Sequence, residues 1–108
     1  MRNLIEEIYT ELTEDNWQLT ERDFSQEWLG KSHAYFAYLK STDSDPSADV
    51  VLHLWKKLET QKTATEYLLP QTIHPVTRSN LKTSLERFKT LSARAWEALN
   101  ALATKDAA

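Results

Sequence analysis

The chain has 108 residues, a formal net charge of −3, one glycine and no cysteine. This length favours a single domain, and the lack of cysteine excludes disulfides, thiol catalysis and cysteine-ligated metal. No alternating apolar run is long enough for a strand, so we expect an all-α fold of four to five helices. The charged first residues and the lack of a long apolar stretch predict a cytoplasmic protein without a leader or a membrane span.

The negative charge is concentrated at the start of the chain. Residues 1–19 have a net charge of −4, whereas residues 61–108 have a net charge of +3. A helix over 2–14 is predicted there, with glutamates on its solvated face. The apolar residues at helical spacing on its other face are Leu4, Ile5, Ile8, Tyr9 and Leu12. Net acidity argues against nucleic-acid binding, although a DNA-binding protein needs only a local basic surface.

Two short helices are predicted next, on either side of the single glycine. Thr20 and Asp23 resemble a capping box at the start of the first. Gly30 stands where a helix C-cap needs left-handed backbone, and Ser32 is expected to cap the second helix. The predicted helices are 21–29 and 32–40.

The second of these helices is predicted to bury Phe36 and Leu39 and to show a small, polar outer face. His33 on that face can donate to a base edge or a phosphate, or can be an ordinary surface histidine. The predicted outer face consists of Ser32, His33, Ala37, Tyr38 and Ser41, with Lys31 and Lys40 on its flanks. A polar loop then leads to Pro46 and a further helix.

From Ser32 onward the sequence resembles the second half of a lambda-repressor/Cro-type helix-turn-helix. That family's pattern is Ser-x-x-Tyr-Ile-x-x-Ile, a polar loop, Pro-Ser, and Leu-Leu-x-Leu-Ala-x-x-Leu. The matching positions are Ser32, Tyr35, Phe36, Leu39, Pro46, Ser47, Val51, Leu52, Leu54, Trp55 and Leu58. The segment 23–32 also resembles small uncharacterised bacterial proteins.

The resemblance implies a bacterial or phage transcriptional regulator that binds double-stranded DNA as a homodimer. Helix 32–40 would then lie in the major groove, with its outer face on base edges and its flanking lysines on phosphates. Ala37 would allow close approach and contact a thymine methyl, and Tyr38 would bond a phosphate or stack.

Three positions depart from the family's pattern. The small residue between the two helices aligns with Gln26, or with Ser25 if the turn is one residue longer. Lys31 stands where the family has an apolar residue, and Trp55 replaces a small alanine. The first two positions determine the angle between the helices, which decides whether the second can enter a groove.

Beyond residue 69, where Pro70 ends the preceding helix, we expect a connector over 70–79 and a long helix over 80–108, capped by Ser79 or Asn80. Its apolar residues recur at a and d positions over three heptads, which predicts a dimerisation element. The dimerisation residues are Leu81, Leu85, Phe88, Ala95, Leu99 and Leu102. The stripe is wide enough to pack on its own domain instead. Two pairs of basic residues lie seven positions apart on the outer surface of this helix, Lys82 with Lys89 and Arg87 with Arg94. They serve either as ordinary surface charge that favours solubility or as contacts to phosphates.

The remaining motifs argue against catalysis. The three histidines have no metal-ligand spacing, His53 is expected to face solvent, and one glycine cannot form a phosphate loop. We therefore predict no enzyme activity, no catalytic residue, no metal and no cofactor. A second hypothesis is a helix-turn-helix relative that binds a protein through its acidic first helix or its C-terminal stripe. A nucleic-acid-mimicking inhibitor is a third hypothesis, which no positive feature selects.

Overall fold

The computed structural model describes residues 2–15, 18–42 and 44–107. The described residues form five α-helices and no strand, which confirms the all-α prediction and the long C-terminal helix. A π-helical turn, Phe24–Trp28, directly follows α2, and a 3₁₀ turn, Leu69–Gln71, follows α4. The helices are α1 (Arg2–Asp15), α2 (Glu21–Asp23), α3 (Tyr35–Thr42), α4 (Ala48–Leu68) and α5 (Pro75–Ala107). Over the described residues, every helix is too short or too polar to serve as a membrane span.

A single apolar core joins α1, the π-helical turn, α3, α4 and α5. Its centre is aromatic, because the rings of Tyr9, Phe24 and Phe36 lie with centroids 5.0–5.1 Å apart. The Tyr9 hydroxyl donates a hydrogen bond to the Leu19 carbonyl oxygen over 3.3 Å, and burial raises the pKa of this tyrosine. The other fully buried members of the core include Ile5, Ile8, Leu29, Leu39, Val50, Leu54, Leu58, Leu91 and Ala95.

The two long helices α4 and α5 pack against each other as an antiparallel hairpin. At 1.5 Å rise per residue, the 21 residues of α4 span roughly 32 Å and the 33 residues of α5 roughly 50 Å. The molecule measures 48 × 29 × 18 Å, so this hairpin sets its long dimension. The other three helices cover only the part of the hairpin that contributes the core residues.

The last helix begins five residues earlier than predicted. Pro75 is its first residue, a position that tolerates proline because the first helical amides have no intrahelical acceptor. The His74 ring nitrogen Nδ1 accepts a hydrogen bond from the Thr77 amide over 3.4 Å and so takes the capping role expected of Ser79 or Asn80. The extended connector therefore covers only residues 72–74, whereas residues 70–79 were predicted.

The apolar stripe of α5 packs largely against its own chain. Leu85 and Ala95 are buried, and Phe88 packs on the core. Leu81, Leu99 and Leu102 are half-buried. Packing within the chain thus covers much of this stripe, and homodimerisation stays a prediction.

Candidate nucleic-acid interface

The turn that ends the π-helical segment before α3 is closed by a hydrogen bond that spans one residue more than in an ordinary helix C-cap. The predicted cap at the start of α2 is confirmed, because the Asp23 amide donates to Thr20 Oγ1 over 3.1 Å. The Lys31 amide then reaches back six residues to the Ser25 carbonyl oxygen over 3.0 Å, one residue further than in a Schellman motif. Gly30 has φ = 68°, which confirms the predicted left-handed position.

The first turn of α3 is capped by a serine from the neighbouring helix. Ser25 is fully buried, and its Oγ accepts a hydrogen bond from the Phe36 amide over 3.0 Å. Of the two residues considered for the position between the helices, Gln26 is exposed and Ser25 is buried. The predicted cap at Ser32 is wrong, since α3 begins at Tyr35 and Ser32 only accepts the Tyr35 amide within the turn, over 3.1 Å.

The exposed face of α3 carries small or polar side chains and one large ring, Tyr38, and the opposite face of the helix is buried. Phe36 and Leu39 are 2% and 1% exposed and fix the inner face. Ala37, Tyr38 and Ser41 are exposed on the helix itself. The other two predicted contact residues, Ser32 and His33, are also exposed, but they lie in the turn before α3 and not on it.

Both lysines predicted to contact phosphates pair with carboxylates. Lys40 Nζ lies 2.8 Å from Glu21 Oε2 and 4.9 Å from the centre of the Phe36 ring. Lys31 Nζ lies 4.0 Å from Asp49 Oδ2. The two cations therefore flank α3 as predicted, but each is partly neutralised by a neighbouring carboxylate.

A basic stripe on α4, which the sequence analysis missed, lies beside the turn. It consists of His53, Lys56 and Lys57, which share one shallow groove. His53 is exposed, as predicted, but its Nδ1 bonds the Trp28 carbonyl oxygen over 3.0 Å. A carbonyl oxygen only accepts, so Nδ1 carries a proton. Lys57 Nζ lies 5.6 Å from the Trp28 ring centre.

The imidazole of His53 also occupies the space beside the turn glycine. A Cβ placed on Gly30 would lie 2.7 Å from His53 Cδ2, closer than two carbon atoms can approach without one of them moving. The close packing of the turn against the α4 basic stripe therefore requires glycine at position 30, because a side chain there would collide with His53. The i, i+3, i+4 spacing of three basic residues is the sequence signal that would have revealed this stripe.

The arginines of α5 bind the acidic helix α1. Arg87 Nη1 donates to the Glu11 carbonyl oxygen over 2.7 Å and lies 3.0 Å from Glu14 Oε2. Arg94 forms an ion pair with Glu7. The opposite charges of the two chain ends thus meet within the molecule, and this line of arginines has a structural partner.

Two other kinds of site were sought. Among the described residues, no three His, Cys, Asp or Glu side chains are grouped so that they could hold a metal ion. A shallow groove runs along the acidic face of α1 and ends at Arg94. It is the surface on which the alternative prediction places a protein partner.

A family model matches residues 5–108, nearly the whole chain, and is described as a family of unknown function, DUF6626. The chain belongs to this family. No curated protein and no solved structure matches it. Membership in DUF6626 therefore brings no activity with it, and a function for this DUF6626 protein has to be argued from its own residues.

Proposed function

We propose that this DUF6626 protein binds double-stranded DNA with α3 in the major groove and acts as a transcriptional regulator. The observation that carries the proposal is the anchoring of α3. Its inner face is buried through Phe36 and Leu39, its first turn is capped by Ser25, and its outer face is small or polar apart from Tyr38. A rigid helix with such a face is what major-groove readout requires.

The outer surface offers contacts of the right kinds. Ala37 permits close approach of the α3 backbone and an apolar contact with a thymine methyl, and Ser41 offers a hydroxyl to a base edge. Tyr38, which is 56% exposed, can bond a phosphate or stack. Ser32 and His33 in the turn would contact bases or phosphate at the start of the helix.

The ion pairs of Lys31 and Lys40 do not oppose this pose strongly. An exposed ion pair contributes only about 0–1 kcal/mol, so exchanging a carboxylate for a phosphate changes little in the free protein. The α4 basic stripe adds Lys56 and Lys57 beside the same turn. These cations give the acidic molecule the local basic surface that binding to a phosphate backbone needs.

Salt dependence of binding tests the proposal. Fluorescence anisotropy against a pool of duplex DNA, including the region upstream of the protein's own gene, should show selective binding that weakens steeply with salt. Lys31→Ala/Lys40→Ala should lower the slope of log K against log salt by ~2, because two fewer counterions are released. Lys82→Ala/Lys89→Ala, two exposed lysines on α5, is the matched control and should leave the slope unchanged.

A second candidate is a protein-binding module built on the same unit. It is favoured by the carboxylate partners of Lys31 and Lys40 and by the acidic groove of α1. Equal DNA affinity of the wild type and a His33→Ala/Tyr38→Ala variant would support it. Absence of binding even at low salt, where non-specific contacts register, would reject the DNA proposal and direct the search to α1.

A further inference from the structure

The tip of the α4–α5 hairpin exposes apolar side chains that do not contribute to the core. Tyr67 and Leu68 are 70% and 48% exposed at the end of α4, and Ile73 and Val76 are 93% and 63% exposed around the start of α5. We call these four residues the tip patch. Single exposed apolar residues are common, but four within ten residues of the chain mark an interaction surface.

The tip patch projects beyond the core of the molecule. Leu58 is the last α4 residue of the core cluster, and Leu91 is the first fully buried residue of α5. In the arm between them, only Thr65 and Leu85 are buried among the described residues. A substitution at the tip therefore does not reach the core that folds the protein.

One acidic and one basic residue each lie close to the tip end of their helix. Glu66 lies two residues before the end of α4, and Arg78 lies three residues after the start of α5, so each is roughly 3–5 Å from its helix end. Both are exposed, and neither forms an ion pair among the described residues. The two helices thus carry opposite charges near the exposed apolar residues of the tip.

We propose that the tip patch binds the tip patch of a second copy of this chain. A two-fold axis through the patch would bury both apolar sets and place Glu66 of each copy against Arg78 of the other. Such an isologous contact needs a self-complementary surface, and the tip has one. Its balanced charge pair, by contrast, offers no net attraction to a nucleic acid or an anionic membrane.

The tip is a different surface from the α5 stripe, whose role in dimerisation stays a prediction. Leu85 and Ala95 of the α5 stripe are buried within the chain and are not free to pair. A stable dimer buries roughly 1,200–2,000 Å² in total, and four apolar side chains with their flanks reach only the low end of that range. The dimer should therefore dissociate on dilution. This inference is independent of DNA binding.

Sedimentation velocity of the full chain over a range of concentrations tests the apolar part of the contact. The wild type should pass from monomer to dimer as concentration rises, and Ile73→Asp/Val76→Asp should remain monomeric with an unchanged circular dichroism spectrum. Tyr38→Asp, at an exposed aromatic residue on α3, is the matched control and should dimerise as the wild type does.

A charge exchange tests the pairing across the two-fold axis. Glu66→Arg alone and Arg78→Glu alone should each weaken the dimer about tenfold, because each sets like charges together twice. An equimolar mixture of the two single variants should dimerise again, since every contact then joins opposite charges. A wild type that stays monomeric, or a dimer that Ile73→Asp/Val76→Asp does not weaken, would overturn the proposal, as would a mixture that fails to recover.

Discussion

The α2–α3 unit and the tip of the α4–α5 hairpin expose opposite kinds of surface. At the α2–α3 unit the large aliphatic side chains and the Phe rings are buried, and what remains outside is mostly small, polar or charged, with Tyr38 as the one large exposed ring on α3. At the tip the apolar side chains are outside and little lies beneath them. The first arrangement suits a polar partner read by hydrogen bonds and charge, whereas the second suits apolar burial against another protein surface. One small chain thus carries two different kinds of surface along its length.

The largest expected contrast is in stability. Phe24→Ala removes a fully buried ring from the aromatic centre and should lower the free energy of unfolding by about 3–5 kcal/mol. Ile73→Ala at the tip should change it by less than about 0.5 kcal/mol, because the side chain is almost fully exposed. Urea denaturation at a concentration where the protein is monomeric measures both. Similar losses for the two variants would show that the tip is part of the folded core.

The turn between α2 and α3 gives a prediction of intermediate size. Gly30→Ala should cost about 1–2 kcal/mol for left-handed backbone, and about 1 kcal/mol more if the His53 hydrogen bond to Trp28 is lost. In Gly30→Ala/His53→Ala the clash with the imidazole is absent. The double variant should therefore lose less than the sum of the two single variants in thermal or urea unfolding. Strict additivity would mean that the turn and α4 are not coupled.

The cap on α3 gives an effect on stability no larger than that of the turn, and a specific effect on binding. Ser25→Ala leaves the buried Phe36 amide without its acceptor, which should cost about 1–2 kcal/mol. DNA binding should weaken as well, because the first turn of α3 loses its anchor, whereas self-association at the tip should not change. Amide hydrogen exchange at Phe36 should accelerate in this variant, and unchanged protection would argue against the cap.

The parts of the fold that local sequence signals determine were predicted correctly. The apolar spacing of α1, the cap at Thr20, the left-handed Gly30 and the stop at Pro70 all depend on residues a few positions apart. The start of α3 was missed because its cap, Ser25, lies in the preceding π-helical turn. Its hydroxyl accepts a hydrogen bond from the Phe36 amide, eleven residues away in the chain. The start of α5 was missed because an imidazole, rather than a hydroxyl or carboxamide, caps it.

The charges of the candidate site were harder still to place. Lys40 and Glu21 are nineteen residues apart, so their ion pair has no signature at helical spacing. The α4 basic stripe is visible in the sequence as three basic residues, but its position depends on His53 packing against the turn. Sequence reasoning found the exposed face of α3, while the electrostatic environment of that face is a property of the folded chain.

The ion pairs between α1 and α5 have a consequence for the order in which this protein folds during synthesis. Arg87 and Arg94 bind glutamates that are 73 and 87 residues earlier in the chain. The ribosome therefore releases α1 long before the helix that neutralises its acidic face. Until α5 emerges, the amphipathic α1 lacks the arginines and the apolar Leu91 and Ala95 of its core. The glutamates of α1 thus remain without these arginine partners until the last helix completes the bundle.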